Sequence, residues 1–170
     1  MFKLTDTQRN IVLGVMTVVI LGVINTQIVG KERILADGNV VLLELAPRDP
    51  RSLLQGDYMA LRYAMTERVA TAAGNAEVTD GNAVIMLDDR QVASFQRLHD
   101  GSSLNPGESL LRFRMRGDTV RLASDAYFFE EGQWKTFESA RYGELRVDDD
   151  GNAVLTGLRD ENFQPLGPAT

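Results

Sequence analysis

Few side chains in this 170-residue chain have types and spacing suited to chemistry. Asp57 in "LLQGDYMALRY" and Glu131 in "EEGQWKTFESARYG" are the best candidates for a carboxylate pair acting as general acid and base. A Ser-Lys pair needs a desolvated lysine to deprotonate the serine. Past Lys31 the only lysine is Lys135, and no Ser-x-Met-Pro-like segment accompanies it. A Ser-His-Asp arrangement would depend on His99, the single histidine, which sits in the polar string "RLHDGSS". One histidine and no cysteine leave no typical zinc set, no thiolate ligand and no disulfide. "VDDDGNA" invites a calcium reading, but Arg146 and Gly157 stand where an EF-hand-type loop needs its first acid and its bidentate glutamate. An acidic solvated turn is the expectation there, with no metal and no cofactor.

Binding chemistry is easier to find. In "ESLLRFRMRGDTVRLAS" the residues Arg112, Arg114 and Arg116 alternate with Leu111, Phe113 and Met115. Period-two alternation followed by Gly117-Asp118 predicts a β-hairpin with an arginine row on its open face. Such a row suits an acidic partner surface, although arginines on a half-buried strand are usually just solvated.

These residues follow an apolar stretch. From Asn10 to Gly30 there is no charge, and as a helix that run spans roughly 30 Å, the thickness of a bilayer's hydrocarbon. Arg9 and Lys31 bracket it, and "NTQIVGK" is a poor cleavage site, so the expectation is an uncleaved transmembrane signal-anchor contacting lipid through residues 10–30. Charge bias does not orient it, because both flanks carry the same local balance. Residues 1–9 are read as a cytoplasmic tail, 31–38 as a juxtamembrane linker or helix extension, and 39–170 as one outer domain. Beyond the span sixteen basic residues face twenty-three acidic ones, which argues against nucleic acid as a partner.

The outer domain reads as mainly β (α+β): one antiparallel β-rich unit with one or two short helices. "NVVLLELA" predicts a strand. "DGNVV" at 37–41 recurs as "DGNAV" at 80–84 and 150–154, each read as a turn before a strand. The last two copies run on to "ASFQRL" and "ENFQPL", so the pattern allows a duplicated β unit, but unequal intervals favour independent turns. "TERVATAAG" predicts a short helix stopped by Gly74. "EEGQWKTFESARYG" predicts another, with Glu130 and Glu131 in its first turn and Gly143 past its end, packing Trp134, Phe137 and Tyr142 as one stripe. Gly132 leaves a hairpin open for the 124–142 region.

Around Asp57 every residue has a structural job. Asp49 caps a turn that Pro50 and Arg51 open, Gly56 ends it, and Asp57 bonds the local backbone as a strand begins. Met59, Leu61 and Tyr63 then point to one face, with Tyr58, Ala60 and Arg62 on the other.

Gly56-Asp57-Tyr58, Leu61 and Tyr63 match G-D-Y-x-x-L-x-Y, and "LELAPRDPRSLLQ" before them also resembles the segment that leads into this motif in the GDYXXLXY family. The looser similarity runs through "AYFFEEGQWKTFESARYGELRVDDDGNAV". That resemblance implies a bacterial inner-membrane protein, single-pass, with an extracytoplasmic or periplasmic domain. It implies no established activity, and members often accompany polytopic membrane proteins. The expected role is a non-enzymatic accessory or interaction module with a polytopic partner. The alternative is a membrane-bound hydrolase, carboxylate-based or signal-peptidase-like.

Overall fold

A computed structural model describes residues 5–47, 58–117 and 119–167. Helix α1 (Asp6–Asp37) is opened by Thr5, whose hydroxyl accepts from the Gln8 N–H while the Gln8 side chain returns to the Thr5 N–H. It is long and apolar enough to cross a membrane, and none of its apolar window is buried against protein. A core helix of a soluble domain would show the opposite burial. Lys31 to Asp37 continue the helix, so the helical alternative for this segment holds.

Chain direction changes abruptly at Gly38. Its N–H closes the helix on the Ile34 carbonyl, and Arg146 Nη1 donates to the Gly38 carbonyl at 3.0 Å. Strand β1 (Asn39–Glu44) follows at once. A Cβ at Gly38 would lie 2.4 Å from the Ile34 carbonyl oxygen, so glycine is required here by close approach, its φ of −64° being open to any residue. Helix and sheet therefore share a tight joint, with α1 packing on β8 (Tyr142–Val147) and β9 (Ala153–Arg159).

Beyond the joint the domain is antiparallel β, as expected. Between β1 and β8 lie β2 (Tyr58–Ala60), β3 (Asp80–Leu87), β4 (Ala93–Leu98), β5 (Glu108–Arg116), β6 (Thr119–Arg121) and β7 (Ala126–Phe128); β10 (Pro165–Leu166) ends the set. One sheet has the order β1-β8-β9-β10, a second β4-β3-β5-β6, and β2 pairs with β7. A bridge between Leu42 and Val92, with the Leu42 N–H on the Gln91 carbonyl, joins the edges of the two larger sheets. Alternate side chains of both sheets fill one core: Val41, Leu43 and Leu45 from β1 and its end, Ile85, Leu111, Phe113, Leu145 and Leu158 from the rest. Helix α2 (Thr66–Asn75) covers it with Met65, Val69 and Ala73, four residues apart on one face. The left-handed residue after α2 is Glu77, φ 54°, and not Gly74.

The segment 130–143 departs from its sequence reading. Only α3 (Trp134–Phe137) is helical. Gly132 at φ 84° turns the chain before it, and the Arg141 backbone is already claimed by Arg159 and Leu45 on either side. Tertiary pairing thus ends the helix and converts Gly143 from a cap into a strand residue. Phe137 is buried against Tyr127 and Phe129, Trp134 is exposed, and Tyr142 stacks on Phe163, so the three do not form one stripe. The hairpin alternative fails too, since β7 pairs with β2 and β8 with β1.

The Asp-Gly-Asn copies play three different roles: the end of α1, the interior start of β3, and a hairpin loop before β9. They are not a structural repeat. A different repeat is present. Asp88, Asp148 and Asp160 each accept from the backbone N–H groups two and four residues on, and each loop has one left-handed residue, Gln91, Gly151 or Phe163. The resulting three-residue hairpin loops are the same solution used three times.

Candidate functional site

The signature strand lies at the end of β1 remote from α1, six residues or roughly 20 Å along the strand. It is stitched in on both sides. The Leu61 N–H donates to the Asp125 carbonyl at 2.7 Å, while Ala46 and Ala64 exchange backbone bonds with Arg62 and Glu44. Met59, Leu61 and Tyr63 point inward and are buried, and Tyr58 and Arg62 are exposed, as the alternation predicts. Asp49, Pro50, Arg51, Gly56 and Asp57 lie outside the described residues.

Tyr63 is a structural residue. Its hydroxyl donates to the Ser124 carbonyl at 3.0 Å, and its ring edge crowds Gly143, where a Cβ would sit 3.1 Å from Cε1. Burial pushes its phenol well above the ordinary tyrosine value, which keeps it neutral. Tyr58, in contrast, faces out. Its ring centre is 5.7 Å from that of Phe128, which is 75% exposed. The sequence gives no warning of Phe128, because "AYFFE" does not reveal which of its two phenylalanines faces the core.

The residues that follow Tyr58 help line a cleft of about 160 Å³, formed by residues 45–47, 59–62 and 138–141. Arg62, Glu138, Ser139 and Arg141 supply its polar side chains, all of them exposed. Among the described residues no polar or charged residue is buried as a whole. Glu131 stands in an exposed turn, and its proposed partner Asp57 is outside the described set. The Lys135 ammonium lies over the Trp134 ring at 5.6 Å on an exposed helix. His99 is on the other sheet, its backbone N–H bonded to the Asn82 carbonyl.

The acidic loop that invited calcium is self-satisfied. Asp148 Oδ1 accepts from Asp150 and Asn152, and Oδ2 accepts from the Asn152 amide at 2.9 Å. Among the described residues there is no group of three acids or histidines able to hold a metal.

The arginine row is present on the exposed face of β5, with Leu111 and Phe113 buried behind it. Its members differ. Arg112 is tied to the β8–β9 loop, through Nη1 to Asn152 at 3.2 Å and its N–H to the Gly151 carbonyl. Arg114 stands opposite Arg121 in the register, and Arg121 pairs with Asp125 at 2.9 Å. Among the described residues Arg114 and Arg116 have no ion pair, so these two form the available part of the row.

An apolar helix, a candidate membrane span by length and composition, runs into an antiparallel β domain with the signature strand at its far end. The chain belongs to the GDYXXLXY protein family, whose model matches residues 20–158. No curated protein and no solved structure matches the chain.

Proposed function

We propose that this protein is an accessory subunit of a polytopic membrane protein, held by an uncleaved signal-anchor with residues 31–170 outside the cytoplasm. The observation that carries the reading is the exposed pair formed by Tyr58, in the strand that bears the family signature, and Phe128 of its partner strand β7. Exposed aromatic side chains grouped together are the usual anchors of protein interfaces. Arg114 and Arg116, without an ion pair among the described residues, offer a second, electrostatic contact, and the joint at Gly38 keeps the domain at a set attitude to the bilayer, as a subunit facing a membrane neighbour requires.

A photo-crosslinking side chain at Phe128 in native membranes should trap a multi-spanning protein. Phe128→Ser should reduce co-purification of that protein at least about tenfold. Recovery of the crosslinking variant alone, with no adduct, would overturn the reading. Orientation has its own test: a cysteine at Asp149, in an otherwise cysteine-free chain, should react with an impermeant thiol reagent before cells are lysed. Labelling only after lysis would reverse the topology.

A further inference from the structure

We propose that α1 pairs in parallel with α1 of a second copy of this chain, along a seam centred on Asn25 inside the bilayer. This is independent of which protein the outer domain meets. Because α1 is continuous from Asp6 to Asp37, the rotational phase fixed at its outer end holds through the span. At that end Ile34 is the residue buried against the domain, where α1 touches β8 and β9. Asn25 lies nine residues earlier, and at about 100° per residue it points about 180° away from Ile34. The domain stands on one side of the helix, and the Asn25 side is open.

Steps of three and four from Asn25 reach Val18, Leu21, Ile28 and Leu35, a heptad seam with the asparagine at its middle. All four apolar residues are exposed. Leu35 is the informative one: it lies past the charged edge at Lys31 to Arg33 and is still 45% exposed on this same seam. Glu32 also falls there, at the water boundary, with Lys31 next to it to offset the like charge across the pair.

Asn25 supplies the specificity. The hydroxyls of Thr17 and Thr26 donate to the carbonyls of Leu13 and Val23 at 2.9 and 2.8 Å. No such bond holds the Asn25 amide among the described residues. It sits five residues inside Gly30, about 7.5 Å below the end of the charge-free run, where no water substitutes. An amide is both donor and acceptor, so two asparagines at one depth satisfy each other. A second copy in parallel brings that same group to that same depth by symmetry.

The absence of cysteine makes the test clean. Full-length single-cysteine variants in native membranes, treated with a membrane-permeant oxidant, should give disulfide-linked dimers for Ile28→Cys and Leu35→Cys. Val23→Cys, on the domain side of the helix, should remain monomeric. Adding Asn25→Val to Ile28→Cys should lower the dimer yield about three- to tenfold, and Asn25→Gln should retain it. Equal crosslinking at Val23 and Ile28, no dimer at any position, or a yield indifferent to Asn25→Val would each overturn the proposal.

Discussion

At the scale of single residues, the signature divides its labour between packing and presentation. Leu61 and Tyr63 are buried, and Tyr58 is displayed next to Phe128. Tyr63→Phe should cost about 1 kcal/mol, because the Ser124 carbonyl loses its donor in a part-buried site. Gly143→Ala should cost about 1–3 kcal/mol, since its Cβ would press on Tyr63 Cε1 at 3.1 Å and on Leu155 Cδ1 at 3.4 Å. Urea melts of both variants check this. Near-equal stability for Gly143→Ala would mean the Tyr63 ring can yield. Phe128→Ser, by contrast, should leave the melt unchanged, because its ring is mostly in water.

At the scale of elements, the hairpin loops and one strand-edge ion pair make separable predictions. Asp148→Ala should destabilise by about 1 kcal/mol, as loss of a helix cap does, because two backbone N–H groups lose their acceptor. Calcium or a chelator should not move the melting midpoint, since that carboxylate is already spent within the loop. Glu108 responds to pH. It accepts from the Asn105 N–H at 2.9 Å and from Arg97 Nη2 at 3.1 Å, and these bonds hold its carboxyl below the ordinary value of 4.5. A lowered folded-state value means the contribution is complete above that ordinary value and disappears as pH falls through the folded one. Glu108→Gln should therefore lower stability at neutral pH and flatten the acid limb of the stability–pH curve below about 4.5, the two curves converging as pH falls.

At the scale of the whole molecule, the joint between α1 and the sheet decides how the domain is presented. Gly38→Ala would place a Cβ 2.4 Å from a backbone oxygen and 3.1 Å from the Val147 nitrogen, neither of which can move as a side-chain tip can. The variant should pry α1 from β8 and fray its last turns, so that trypsin cuts faster at the exposed Lys31 and Arg33, with domain stability lowered by about 1–3 kcal/mol. An unchanged tryptic pattern would show that the helix end is loosely held. The same joint orients the Asn25 seam away from the domain, so loosening it should also blur the face preference of the cysteine crosslinks.

Features that depend on a few neighbouring residues could be read from the chain directly. A charge-free run of bilayer length, the period-two alternation of β5, and the inward set Met59, Leu61 and Tyr63 were all legible, because helix rise and strand pleat are local geometry. The strand at 39–44 and the helix at 66–75 were legible for the same reason. Only the tertiary structure decided which strands pair. Tyr58 to Ala60 meet β7 nearly seventy residues later, and β1 meets β8 across a hundred. No local periodicity encodes a partner at that distance. Residues 130–143 show the consequence: their acids, glycines and aromatics are compatible with a helix, yet β1 and β9 take the backbone from Arg141 onward and Phe137 anchors a single turn beneath Tyr127 and Phe129. The cleft exists because three segments distant in sequence converge at the far end of β1, and the face that Asn25 presents was settled by where Ile34 found the sheet.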